Sequence, residues 1–505
     1  MRRALLWALV CLAASLVVSC SSDEAVQKGT GAHEETAVEA EAPTNQPNII
    51  FVLTDDLDYN SAQLMPNVRS QLVDKGTSFD NDFVSNSLCC PSRATILTGL
   101  YAHNHGVKTN TPPDGGFEQF VSEGHEQDNI ATRLQQGGYE TALFGKYLNI
   151  YPGSDDPTRV PPGWDEWHAW ADALSKKSSN KRGSGESAAE YYGYSLNENG
   201  KLVSYGDSSE DYMTDVLSGK AADFIQRATS DSKPFFVYLA TTAPHAPTVA
   251  AERHKDTFAS ATAPQPLSFD EQDVSDKPPW IRDMSRFSQG NISRIDKVYR
   301  DRLGTMQAVD EMVDSLLREL EANGQLANTY IFFTSDNGLL LGQHRIQTDK
   351  RYPYEEAIRT PLFVRGPEVP AGAKVEKMVL NTDFAPTFAD LAGVSFPPAD
   401  GRSLVPLLRG EDPSSWRSAV LLEGFQKPNK KRSLPPYEAV RTETYKYVEY
   451  NTGDKELYDL ETDPYELDNI YESADSSLIA DLKARLDALR SCAGDAVCRE
   501  AEDTS

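Results

Sequence analysis

Cysteine is scarce in this chain, with six in 505 residues, two of them adjacent. No Cys-x-x-Cys pair or Cys/His cluster with zinc spacing occurs, which excludes a structural zinc site. Positive charge is also short. Lys and Arg number 49 against 76 Asp and Glu, a formal net charge of -27. Such a field repels nucleic acid, and any anionic substrate would need a local cationic pocket. Beyond the first twenty residues there is no apolar run long enough to cross a bilayer. Internal repeats are absent too, which excludes solenoids and propellers.

What is present begins at the N-terminus. Arg2-Arg3, the apolar run "ALLWALVCLAASLVV" and Ser19-Cys20 form a charged region, a signal-length hydrophobic region and a small residue before cysteine. The ending "VVSC" resembles the lipobox of bacterial lipoproteins. That implies an exported protein, lipidated at Cys20 and held on the outer face of the cell membrane by the lipid alone. Residues 1–20 read as the signal and 21–45, rich in Glu, Ala, Thr and Gly, as a disordered tether. Cys492 and Cys498, in "CAGDAVC", read as a local disulfide in an oxidising compartment.

The rest of the chain alternates strand and helix. "NIIFVLTDD" (Asn48 to Asp56), "YETALFGK" ending at Lys146, "PFFVYLATTAPHAP" and "TYIFFTSDNG" are apolar runs that stop abruptly at polar residues. "YMTDVLSGKAADFIQRA" has helical period, and from Leu303 to Leu320 apolar residues share one helical face. The alternation predicts an α/β fold, a large and mostly parallel sheet with helices on both faces. After about Pro428 the pattern changes to "YEAVRTETYKYVEY" and "KELYDLETDPYELDNI". This predicts a small antiparallel sheet, closed by the helix "SLIADLKARLDALRS". The expected division is therefore a catalytic domain over 46–427 and a C-terminal subdomain over 428–505.

Three strands end in Asp55-Asp56, Lys146 and Asp336-Asn337, and His245 follows a fourth. In open α/β sheets ligands bind at the carboxyl ends of strands, so these groups can meet in one crevice. Three carboxylates and an amide are hard oxygen ligands, suited to Ca²⁺ or Mg²⁺. A single Asp at a strand end is ordinarily a helix N-cap, but clustered carboxylates repel one another and call for a cation. Cys89 and Cys90 precede Pro91, which is expected to be the first helical residue. A disulfide between neighbours would be strained, which leaves buried packing or chemistry for this pair.

Cys89-Cys90-Pro91-Ser92-Arg93 with "ATILTGLYAHNHG", followed by "GKYLN", "APHAP", "TSDNG", "GQH", "KRYPYEEAIRTPLFVRGP" and "LYDLETDPYELDN", resembles the type I sulfatases of the alkaline phosphatase superfamily. The resemblance spans nearly all of Asn48 to Ile470. It implies that Cys89 is oxidised to Cα-formylglycine by a separate formylglycine-generating enzyme. It implies one Ca²⁺ held by Asp55, Asp56, Asp336, Asn337 and residue 89. Arg93 would hold the formylglycine, while Lys146, His245 and Lys350 would bind sulfate and assist departure of the alcohol. As a hydrate the aldehyde offers two hydroxyls, one to attack sulfur and one to expel sulfate, whereas a serine would lack the second. "GKYLN", "PPGWDEWHAW" and "YYGYSLNENGK" are similar to the branch of N-acetylglucosamine-6-sulfatases and heparan endosulfatases. The substrate this implies is a sulfate ester of a sugar, such as N-acetylglucosamine 6-sulfate or a glycosaminoglycan fragment. The alternatives are a phosphomonoester or phosphodiester hydrolase of the same superfamily, or an inactive surface sugar-binding protein.

Many arylsulfatases carry a histidine two places after the first lysine, where this chain has Leu148 in Lys146-Tyr147-Leu148-Asn149. That leaves the base for the second hydroxyl open, with Asn149 or His103 in its expected neighbourhood. His103 and His105 otherwise read as braces of the loop after the nucleophile, and His344 as structural. His168 and His254 have no supporting pattern. The basic runs Lys176 to Arg182 and Lys427 to Arg432 could meet polyanionic sugars; charge runs are usually solvated loops, and the first is read so.

Overall fold

The computed structural model describes residues 46–172, 174, 190–426 and 434–503. The signal, Cys20, the tether and the basic runs lie outside the described residues. Among those described, no helix is long and apolar enough to cross a membrane.

Eleven strands among the described residues form the main sheet. At its centre lie β8 (Thr329–Ser335), β1 (Asn48–Thr54), β7 (Phe235–Ala240), β3 (Glu140–Gly145) and β4 (Glu166–Trp170), in that order and all parallel. Antiparallel strands extend both sides. β9 (Arg359–Arg365) pairs with β8 and with β2 (Thr77–Phe83), while β5 (Ser195–Glu198) and β6 (Lys201–Ser204) continue beyond β4. Every residue of β1 is buried, because both faces of the sheet are covered. Ile49, Phe51 and Leu53 face a core with the helices Cys89–Thr98, Ile130–Gln136 and Phe384–Ala392. Ile50 and Val52 face the helices Met213–Ser230 and Gln289–Ala322. The period-2 alternation of a strand thus feeds two separate cores.

The Gln289–Ala322 helix begins well before the apolar stripe that reveals it in sequence. Ser288 caps it by accepting from the Asn291 N–H at 3.2 Å, and the first buried residue is Ile295. Its opening turns are solvated, so hydrophobic period could not find them.

A second sheet is antiparallel, in the order Ala419–Gly424, Tyr437–Thr442, Tyr445–Tyr450, Lys455–Asp459. Its first strand lies ahead of the expected boundary at 427/428. "PYELDNI" contributes no strand. The helix Ser476–Leu489 packs Leu482, Leu486 and Leu489 into the core of this sheet. A further helix, Asp495–Asp503, carries Cys498, which the disulfide ties back to Cys492.

Candidate active site

Strand register brings the polar strand ends together. Leu53 pairs with Ala240, Thr54 with Ser335, and Gly145 with Ala240. The residues that follow, Asp55, Asp336 and Lys146, therefore emerge on one edge of four adjacent parallel strands. Gly145 has φ +100°, and a Cβ there would lie 2.0 Å from the Ala240 carbonyl oxygen, so only glycine permits this approach of β3 to β7. Asp56 is itself left-handed, at φ +69°. Its N–H donates to Asp336 Oδ1 at 3.1 Å, and Asn337 Nδ2 donates to its Oδ1 at 2.7 Å.

The helix that carries Cys89 starts two residues earlier than expected. It runs Cys89–Thr98, so Pro91 is its third residue rather than its first, and Cys89 and Cys90 are helical. The first four N–H groups of a helix have no internal acceptor, so proline costs no hydrogen bond at the third position either. Leu88 supplies no side-chain cap; instead the Cys90 N–H donates to Asn110 Oδ1 at 2.9 Å. Cys89 Sγ lies 3.4 Å from Asp55 Oδ1 and 4.0 Å from Asp56 Oδ1, and Lys350 Nζ lies 2.7 Å from it.

Arg93, fully buried on the same helix, ties three strand ends together. Its Nε donates to Asp336 Oδ2 at 2.8 Å, Nη1 to the Lys146 carbonyl at 2.7 Å, and Nη2 lies 3.5 Å from Asp55 Oδ2. Lys146 pairs with Asp55, and Lys350 with Asp56. Burial alone would raise Asp55, but Lys146, His245, Arg93 and Lys350 together hold it well below the ordinary carboxylate range. Asp336 moves the other way, raised by burial and the Asp55 charge. Burial, then Asp55, pushes the Cys89 thiol well above its usual value.

Ligand atoms of Asp55, Asp56, Cys89 and Asp336 all lie within 4.8 Å of one another. Asn337 Oδ1 is buried beside them with no hydrogen-bond partner. An orphaned amide oxygen among carboxylates fits a hard divalent cation. The cradle opens into a cavity of about 570 Å³ that Asp56, His245, Lys350, Asn110, Asp349, Arg351 and Gln426 help to line.

All the expected site residues thus converge, with one correction beside them. His103 points away from the cradle, with Nδ1 at 2.8 Å from Glu423 and Nε2 at 2.9 Å from the Cys492 carbonyl. Asn149 does lie beside the cysteine pair, its backbone against the Cys90 thiol and its carbonyl accepting from the Phe117 N–H. Among the described histidines, His245 alone groups with Asp55 and Cys89. His105 braces the helix through Thr95 Oγ1 at 3.0 Å, as expected of a loop support. His344 is structural as read. It stacks on Tyr354 at 3.9 Å and meets Glu271 at 2.7 Å, and burial lowers it to about 3.

Sequence reasoning missed Glu190, whose Oε2 lies 2.8 Å from His245 Nδ1. It also missed Arg302, which donates to the Asp56 carbonyl at 2.5 Å and the Pro244 carbonyl at 3.2 Å. For Arg302 a signal existed, since it lies among Ile295, Tyr299, Leu303 and Met306 on the buried helical stripe. Glu190 follows a low-complexity run and carries no comparable signal.

Fold and cradle together define a hydrolase of tetrahedral anionic esters. The Sulfatase family model matches residues 47–394, and the model for the N-sulphoglucosamine sulphohydrolase C-terminal region matches 342–492. The chain is 34% identical over 493 residues to human N-acetylglucosamine-6-sulfatase, covering 90% of this chain and 86% of the human one. A solved structure described as a complex with its substrate D-glucosamine-2-N,6-O-disulfate is similar at TM-score 0.74 and 27% identity, covering 91% of this chain and 99% of the other. A phosphonate monoester hydrolase from Silicibacter pomeroyi is similar at TM-score 0.68 and 26% identity, with 88% and 94% coverage. The chain belongs to the sulfatase family, nearest to its N-acetylglucosamine-6-sulfatase and extracellular endosulfatase branch, and is a sulfuric ester hydrolase.

Proposed function

We propose that the protein is an exported sulfatase that removes sulfate from amino-sugar esters, N-acetylglucosamine 6-sulfate or glycosaminoglycan fragments. It would depend on one Ca²⁺ and on Cα-formylglycine made from Cys89 by a formylglycine-generating enzyme. The observation that carries this reading is the orphaned Asn337 Oδ1 beside the clustered carboxylates and Cys89.

Asp55, Asp56, Asp336, Asn337 and residue 89 would hold the cation. When present, Ca²⁺ supplies positive charge to the sulfate oxygens, and formylglycine hydrate supplies hydroxyls for attack and for sulfate release. This chain's own residues do the rest. Arg93 braces Asp336, Asp55 and the Lys146 carbonyl, and would hold the formylglycine. Lys350, 2.7 Å from Cys89 Sγ, is placed to donate to an ester oxygen held at residue 89. Lys146 supplies a second ammonium on the Asp55 side. His245 lines the cavity and holds a proton at Nε2, 4.0 Å from Asp56 Oδ2, available to a departing alcohol. Burial disfavours its imidazolium, but Asp55, Glu190 and Asp56 outweigh that and raise it.

The sugar reading is supported by the names of the relatives and by the cavity, within the roughly 300–1,000 Å³ of small-molecule clefts. Export and anchoring rest on the N-terminal pattern and Cys20. The test is turnover of N-acetylglucosamine 6-sulfate by protein produced with a formylglycine-generating enzyme. Nitrophenyl phosphate and a phenylphosphonate ester serve as the rival substrates. Sulfate release that ceases with a chelator and in Cys89→Ala supports the reading, and preference for either phosphorus ester refutes it.

A further inference from the structure

We propose that Glu190 is the positioning residue for His245, holding its imidazole so that the Nε2 proton faces the alcohol leaving group. The inference rests on the reading of His245 as the proton donor.

Glu190 and Tyr191 clasp the loop after β7 at three points. Thr242 Oγ1 donates to the Glu190 carbonyl at 2.7 Å. Tyr191 Oη donates to the His245 carbonyl at 2.7 Å, and Glu190 Oε2 meets His245 Nδ1 at 2.8 Å. The backbone contacts fix where the carboxylate stands, so it is held to the ring rather than meeting it by chance. A carboxylate at Nδ1 accepts a hydrogen bond from the Nδ1–H and so keeps the proton on that nitrogen. That leaves Nε2 as the only ring nitrogen able to deliver or hold a proton on the cavity side. As the S–O bond to the alcohol breaks, its electron pair passes to the bridging oxygen, and the Nε2 proton moves to that oxygen. The ring is left neutral, with its Nδ1–H still on Glu190.

Protonation matters in proportion to the basicity of the leaving group. A sugar alkoxide needs the proton, whereas a nitrophenolate leaves nearly unaided. General acids contribute about 10²–10⁴-fold, so loss of ring orientation should cost the sugar 6-sulfate about 10- to 100-fold in kcat. In Glu190→Gln and Glu190→Ala, made in the matured full chain, that loss should exceed the loss on nitrophenyl sulfate by about tenfold or more. In a His245→Ala background, adding Glu190→Gln should cost nothing further. Spectra of ¹⁵N-histidine-labelled protein should show the His245 Nδ1 resonance moving in Glu190→Gln. Equal losses on both esters, or additive losses in the double variant, overturn the Glu190 assignment while leaving the sulfatase reading intact. If wild-type matured protein releases no sulfate from either ester, the underlying reading fails instead.

Discussion

Replacing Arg93 by Met separates the support of the cradle from the cradle itself. The guanidinium is wholly buried and is bonded to Asp336 Oδ2, the Lys146 carbonyl and, at longer range, Asp55. Met nearly fills the volume, so the loss is electrostatic. Removing one partner of a buried pair leaves the other charged and unsolvated, at a cost of about 3–5 kcal/mol. The orphaned Lys146 carbonyl adds to this, on the order of 1–3 kcal/mol, though the two losses share a site and will not sum. A divalent cation opposes the same carboxylates, so it should restore part of what is lost. Saturation at 100 times Kd contributes about 2.7 kcal/mol by mass action. The assay is denaturant unfolding of wild type and Arg93→Met, each in chelator and in excess Ca²⁺. The variant should be less stable in chelator by about 3–5 kcal/mol and should gain more from Ca²⁺ than wild type. A variant as stable as wild type in chelator, or one with an identical response to Ca²⁺, refutes the electrostatic account of Arg93.

Three further outcomes follow. Burial and Glu466 raise the Glu356 carboxyl to about 7, above its unfolded value. A raised carboxyl stabilises the fold below the unfolded pKa, and that contribution is lost as pH rises towards 7. Glu356→Gln should therefore gain stability relative to wild type between pH 5 and pH 8, measured by melting at each pH; a pH-independent difference contradicts this. The Cys492–Cys498 bridge closes a short loop with a sequence separation of 6, so the double alanine variant should lose about 2 kcal/mol in denaturant titration. His103→Ala breaks contacts to buried Glu423 and the Cys492 carbonyl. It should lower stability by about 1–3 kcal/mol and leave the ratio of kcat values for aryl and sugar sulfates unchanged; a shift in that ratio would return His103 to the reaction.

Much of the site was legible because parallel strands write it locally. An apolar run that stops at Asp55, Lys146 or Asp336 announces both the strand and the end at which ligands gather. Arg93 and Cys89 share one short helix, so a five-residue motif carries both. What sequence could not show depends on contacts distant along the chain. Glu190 reaches His245 across 55 positions, and Asn110 caps a helix that begins 21 residues before it. The nucleophile helix starts at Cys89 because its capping partner comes from another loop, which local propensity cannot anticipate. The strand Ala419–Gly424 joins the small sheet by pairing with Tyr437–Thr442 across the basic run, where composition had placed a boundary. His103 lies near the nucleophile in sequence, yet its partners come from Glu423 and the C-terminal disulfide loop.

The most direct measurement of the central claim is the mass of the peptide spanning Cys89 and Cys90, taken from protein that hydrolyses the sugar sulfate. The account predicts that residue 89 has lost sulfur and two hydrogens and gained one oxygen, while Cys90 remains a thiol. It also predicts that the converted fraction tracks specific activity across preparations. Full sulfatase activity from protein in which Cys89 is wholly an unmodified thiol would contradict it.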